Sequence, residues 1–149
     1  MSQASKVAQT DWIRSLRAVR SFSDKPIPDD VLIDILDTGR WTGSAKNTQP
    51  WDLIVVRDRE KLAGLSKCGP FAGHLGLATV GVCLIMHGKN VWSGMDEGRL
   101  MHNLMLGAWA HGIGSCIASI YPDENEQRAC DLLGIPNNLH IRTILSIRM

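Results

Sequence analysis

Two polar stretches of this chain carry side chains suited to holding a ligand. Arg17 and Arg20 lie three residues apart, a spacing that puts both on one face of a helix. Their planar, forked guanidinium groups match the geometry of a phosphate dianion. The second stretch is Gly43-Ser44-Ala45-Lys46-Asn47-Thr48-Gln49-Pro50-Trp51. Small residues in its first half let backbone N–H groups approach a ligand, and the amides of Asn47 and Gln49 offer both donors and acceptors. Pro50 is expected to push Gln49 into an extended conformation. A β-branched and aromatic run, Trp51 to Arg57, follows directly and reads as a buried strand. The loop is therefore set between a helix and a sheet, a common place for a binding site.

The elements that position these stretches are legible from periodicity. Thr10 is read as the cap of a helix with Trp12, Ile13, Leu16 and Val19 on one face, ending around 20–23. Pro28 and Asp29 open a second helix, with Val31, Leu32, Ile35, Leu36 and Gly39 on its buried side and Gly43 as terminator. Asp58 caps a short helix running to Lys67, with Leu62 and Leu65 inward. Leu77 to Met86 reads as a central strand covered on both faces, with Gly81 requiring something packed closely against it. A polar loop, 87–94, leads to Asp96 and Glu97 at the start of a long helix ending near His111. Its apolar stripe is Leu100, Met101, Leu104, Met105, Ala108 and Trp109. Gly112 to Ile120 is a further strand, Asp123 and Glu126 have capping-box spacing for a helix closed by Gly134, and Leu139 to Met149 is the last strand.

Composition narrows the functional classes. A length of 149 residues corresponds to one domain spanning 1–149, and a net charge of +1 lacks the basic footprint of a nucleic-acid binder. The four cysteines form no Cys-x-x-Cys pair and fit buried thiols in a reducing compartment. The polar first ten residues and the short apolar runs argue for a cytoplasmic protein without membrane contact. The five histidines have no metal-ligand spacing. Ser44 lies in no Gly-x-Ser-x-Gly elbow, and Gly112-Ile113-Gly114 leads into a strand, which removes a dinucleotide fingerprint.

The motifs in order resemble the FMN-dependent nitroreductase family. They are Arg17-Ala18-Val19-Arg20-Ser21-Phe22, then Asp24-Lys25-Pro26-Ile27-Pro28, then Ser-x-x-Asn-x-Gln-Pro-Trp from Ser44 to Trp51. Asp-x-Gly-x-x-x-x-Asn-Leu-Met-Leu-x-Ala from Asp96 to Ala108 and Gly-Ile-Gly-Ser-Cys-Ile from Gly112 to Ile117 continue the resemblance, which covers nearly the whole chain. It implies an α+β fold, with a mainly antiparallel sheet of about four or five strands flanked by helices, in a homodimer. It also implies FMN at the dimer interface, NAD(P)H as electron donor, and a nitro compound, quinone or similar small molecule as acceptor, reduced by a ping-pong route. The cofactor contacts carried over are Arg17, Ala18, Arg20, Ser44, Ala45, Asn47 and Gln49. Ser119 and Ile120 are carried over with their backbone N–H groups near the flavin N5 edge. No side chain is assigned a catalytic role, because hydride transfer is the cofactor's own chemistry.

The sequence departs from the family pattern at Ala18, where a serine is usual, and the stretch between Trp51 and Asp96 is short. It stops at Met149, where relatives continue into a basic arm, which implies loosely held FMN. A flavin-binding or structural dimer without turnover, or an enzyme of this fold acting on flavin or a specialised metabolite, remains an alternative.

Overall fold

The computed structural model describes residues 3–21, 23 and 25–149. The expectations at Phe22 and Asp24 lie outside the described residues. Four strands form one antiparallel sheet in the order β1-β2-β4-β3, with β1 Trp51–Val56, β2 Val80–Met86, β3 Gly114–Ser119 and β4 His140–Arg148. Among the described residues five α-helices accompany it: α1 Gln3–Ser15, α2 Asp29–Arg40, α3 Arg59–Leu65, α4 Val91–Ala110 and α5 Asp123–Leu133.

Alternation along the central strands divides the core in two. Val80, Val82 and Leu84 of β2, with Leu145 and Ile147 of β4, pack against Leu32 and Ile35 of α2 and the Leu100, Met101, Leu104 stripe of α4. Cys83 and Ile85, with Ile141 and Ile144, pack against Leu62 and Leu65 of α3 and Ala129 and Cys130 of α5. Ile141 and Ile144 share a face although they are three positions apart, because the register slips at Leu84/Ile85 and Arg142 has no partner in β2. At Gly81 a side chain of α3 packs directly on the strand, since a Cβ there would stand 2.9 Å from Leu62 Cδ2. All four cysteines are buried free thiols, and burial alone pushes Cys83 up to about 12.

Several boundaries differ from expectation, each for a local reason. Thr10 lies inside α1, which stops at Ser15, so Arg17 and Arg20 do not share a helical face. Beyond Ser15 the backbone instead pairs with β3: Ala18 bridges Ser115 in parallel, and the Val19 N–H donates to the Ser115 carbonyl at 2.9 Å. Trp41, rather than Gly43, closes α2, its N–H turned back to the Asp37 carbonyl. β1 is a half-buried edge strand, exposed at Asp52 and Val55. Leu77 belongs to a 3₁₀ turn, Gly73–Leu77, and β2 begins only at Val80. α4 starts at Val91, earlier than Asp96, because the Asn90 side chain accepts from the Ser93 N–H at 2.9 Å.

No capping box forms in α5. Glu126 is buried and turned to Lys89 Nζ at 2.9 Å, His140 Nδ1 at 3.2 Å and Arg142 Nη2 at 3.4 Å. At the other end Gly134, at φ 68°, closes α5 as its type predicts.

Candidate cofactor and acceptor site

The loop between α2 and β1 is held in an unusual backbone conformation. Lys46, Asn47 and Gln49 all have positive φ, at 53°, 53° and 48°. Asparagine tolerates this region, but for Lys46 and Gln49 it costs roughly 1–2 kcal/mol each. Short local bonds enforce it. The Gln49 N–H donates to Ser44 Oγ at 2.8 Å, Thr48 Oγ1 donates to the Ala45 carbonyl at 3.0 Å, and the Trp51 N–H donates to the Gln49 carbonyl at 2.8 Å. Gln49 is thus in the left-handed region and not extended before Pro50. Backbone strain maintained by its surroundings is a mark of functional loops.

One further anchor was not legible as such in the sequence. Asp96, buried in the second turn of α4, accepts the Ala45 N–H on Oδ2 at 3.3 Å and faces Arg99 Nη1 at 3.6 Å. The signal available was a carboxylate four positions before Leu100, on the helix face that the apolar stripe buries, where it must find partners. Arg99 in turn approaches Gly43, where a Cβ would stand 2.8 Å from Nη2. Ala45, Lys46, Asn47, Thr48 and Gln49 remain exposed. The loop is therefore fixed from below and open above.

The other carried-over residues gather at the opposite edge of the sheet. Arg17 is exposed, with Nη1 donating to the Arg14 carbonyl at 2.7 Å and the Leu16 carbonyl at 2.8 Å. Arg20 is also exposed and lies near the buried Cys116 and His74. Burial drives the His74 pKa down, so the ring that meets Ser146 Oγ at 2.8 Å is neutral. Ser119 ends β3 opposite Thr143 and is exposed. At Ile120 the backbone N–H expected to face the ligand donates instead to the Arg142 carbonyl at 2.8 Å, which continues the β3–β4 ladder one rung beyond Ser119 and Thr143.

The two groups are far apart within one chain. Ala18 bridges Ser115, which lies level with Ile147 and Val80, whereas Trp51 is level with Met86 and His140. Along β4 that difference is about 24 Å, and three strand spacings add about 14 Å sideways. A single copy therefore does not bring Arg17 and Arg20 onto the same small molecule as Asn47 and Gln49.

Between these groups, α4 presents two successive carboxylates in different directions. Asp96 faces the loop, while Glu97 Oε1 accepts from Thr143 Oγ1 at 2.6 Å, beside Ser119. Glu97 lines a cavity of about 250 Å³ with Lys89, Ser93, His140 and Arg142. Burial raises its pKa, against the opposing pull of the Thr143 hydrogen bond and the Arg142 charge.

The Nitroreductase family model matches residues 13–73 and 76–147. The chain belongs to the nitroreductase family. It is 34% identical over 142 residues to an Archaeoglobus fulgidus protein named as a candidate NADH dehydrogenase/NAD(P)H nitroreductase, a match covering 91% of this chain and 81% of that one. An FMN-dependent nitroreductase from Clostridium difficile R20291 superposes with a TM-score of 0.86 at 26% identity, over 92% of this chain and 84% of the other. A family structure from Bacteroides thetaiotaomicron shares the fold at a TM-score of 0.87 and 22% identity, over 95% and 85% of the two chains. This nitroreductase-family oxidoreductase has the α+β fold of its relatives, with the strained loop and the arginine segment at opposite edges of the sheet.

Proposed function

We propose that the chain is an FMN-dependent oxidoreductase that uses NAD(P)H to reduce nitro compounds, quinones or similar small acceptors by a ping-pong route in the cytoplasm. The observation that carries this reading is the loop from Ser44 to Gln49, held at positive φ in three places by side-chain anchors and left open to solvent. The relatives' names supply the cofactor and donor.

The donor chemistry of the chain fits FMN. Arg17 and Arg20 offer guanidinium forks to the phosphate. Asn47 and Gln49 offer amides to a pyrimidine edge that alternates acceptors and a donor, while Ser44, Ala45 and Ala18 supply small side chains that allow close backbone approach. Ser119 is an exposed hydroxyl at the end of β3. Bound FMN would supply two-electron transfer at its ring, the chemistry no side chain provides. One turnover with a nitro acceptor consumes NAD(P)H and a proton and yields the nitroso product, NAD(P)⁺ and water. The protein's part is to orient the ring and exclude water.

The separation of the two residue groups argues that each site is built from two copies, the arginine segment of one and the loop of the other. In support, the α4 face carrying Val91, Met95 and Gly98 is exposed, and a Cβ on Gly98 would meet nothing within 4 Å. The absorbance spectrum of the purified protein tests the reading. Flavin bands that bleach on adding NADH or NADPH and return on adding a nitroaromatic or quinone are expected. A protein that takes up no FMN when supplied with it would overturn the reading, and a yellow protein that neither nicotinamide bleaches would make it a binder.

A further inference from the structure

Beside the loop lies a cavity of about 450 Å³ lined by Ala45, Lys46, Thr48 and Trp92. Trp92, in the first turn of α4, is 66% exposed, so its indole contributes little to the core. A large apolar ring left in water at the rim of a polar loop gains by being covered, and an indole is best covered by another planar ring. Lys46 lines the same cavity. It occupies left-handed backbone, which a glycine or asparagine would adopt at lower cost. Among the described residues its ammonium makes no ion pair, so no structural partner explains a cation at this point.

We infer that Lys46 and Trp92 select the electron acceptor, favouring a planar aromatic that carries an anionic substituent such as a carboxylate, with its ring on Trp92 and its charge toward Lys46. The inference rests on the reading that the 44–49 loop lies against FMN. It adds the charge of the acceptor and the two side chains that read it. Ala45 and Thr48, small residues of the same loop, complete the cavity without competing polar bulk. The neighbouring Thr48 hydroxyl is already spent on the Ala45 carbonyl, which leaves Lys46 as the loop's charged contact in the cavity. Charge pairing sets the preference between acceptors, and ring stacking sets the affinity common to them.

The test compares 4-nitrobenzoate, nitrobenzene and the non-planar acceptor ferricyanide on FMN-loaded protein, using Lys46→Gln and Trp92→Leu. FMN content and the rates of bleaching by NADH and by NADPH are measured first. Lys46→Gln should raise the ratio of the 4-nitrobenzoate KM to the nitrobenzene KM by about 10-fold, the equivalent of one charge-assisted contact. Trp92→Leu should raise both aromatic KM values about 5-fold relative to ferricyanide, the scale of one aromatic pair.

A readout without turnover accompanies these. Quenching of tryptophan fluorescence by 4-nitrobenzoate should be lost in Trp92→Leu and weakened in Lys46→Gln. An unchanged KM ratio in Lys46→Gln would overturn the inference. So would a change confined to NADPH bleaching, which would make Lys46 a reader of the donor's phosphate, or FMN loss in Trp92→Leu, which would make Trp92 a flavin contact. If FMN does not bind at all yet the quenching pattern holds, the flavin reading fails while the aromatic anion subsite stands.

Discussion

Between Gly43 and Pro50 three non-glycine residues sit at positive φ, tied down by Ser44, Thr48 and Asp96. Between Leu16 and Arg20 none does, and the chain is attached to β3 by one parallel bridge. The loop carries strain of roughly 1–2 kcal/mol per misfitted residue before any ligand arrives. The arginine segment carries none. Arg17 simply satisfies its guanidinium on the backbone carbonyls of Arg14 and Leu16 and must exchange those bonds for a ligand's. The contrast suggests a division of labour, in which the loop fixes where a ring lies and the arginines supply adjustable affinity.

Removing the loop's anchor should give the largest effect. Asp96→Ala leaves the Ala45 N–H without its acceptor, frees Arg99 from its buried partner and opens a void in α4. A loss of about 2–3 kcal/mol in unfolding free energy is expected, readable in a urea titration of the flavin-free protein. If the loop's geometry matters as proposed, FMN binding falls with it. A variant of wild-type stability would show that the strained conformation stands without Asp96.

The other half of the comparison predicts the reverse pattern. Arg17→Ala or Arg20→Ala should leave the urea midpoint in place, since both side chains are exposed. Each should weaken FMN by roughly 1.5–3 kcal/mol, or about 10- to 150-fold, in a fluorescence titration of the flavin. Equal FMN affinity in both variants and the parent would remove the arginines from the site.

The contrast also explains what could be read from sequence. The loop's residues stood out because small, amide and proline types crowd together between two periodic runs. Their conformation did not, because Pro50 biases Gln49 toward extended backbone, and the Ser44 hydroxyl overrides that bias by taking the Gln49 N–H. The helical period of Trp12, Leu16 and Val19 suggested a helix through Arg20, yet pairing with the β3 edge won beyond Ser15. Local caps written in single residues, Asp58 and Gly134, were legible. Glu126 was not, since its spacing from Asp123 fits a cap while its burial among Lys89, His140 and Arg142 depends on strands distant in sequence. The bulge that leaves Arg142 without a partner in β2 is a property of pairing between strands and leaves no mark in either one alone. The distance between the two residue groups follows from strand order, which the motif pattern does not encode.

A smaller effect should come from relieving the strain directly. Lys46→Gly removes the side chain that disfavours φ 53°. The relief, partly offset by the added freedom of glycine in the unfolded chain, should stabilise the flavin-free protein by about 0.5–1 kcal/mol. Thermal unfolding measures it. The same variant should lose its preference for 4-nitrobenzoate over nitrobenzene, so stability and selectivity would move in opposite directions at one residue. A destabilised variant would mean that the ammonium or its stem supports the fold.

The smallest expected change concerns the carboxylate next to the loop's anchor. Burial raises the Glu97 pKa above its ordinary 4.5, so the folded protein holds this proton at pH values where the unfolded chain has released it. Stability therefore falls as pH rises from about the unfolded value through the folded one, and the loss is complete above the latter. The charges that face this group limit the effect: Arg142 of β4 and the Thr143 hydroxyl favour the carboxylate, while Glu126 of α5 opposes it. Lys89 and His140 line the same cavity, and solvent reaches into it. Glu97→Gln keeps an acceptor for Thr143 and removes the titration. Its melting temperature should match the parent's at pH 4 and exceed it at pH 7, a pattern obtained from a melting series across that range. Because Thr143 lies across the ladder from Ser119, the same substitution tests whether this end of β3 is as rigid as the loop. A Glu97→Gln protein that is less stable at pH 7 would show that the carboxylate is needed ionised, tied to Arg142 and not merely tolerated.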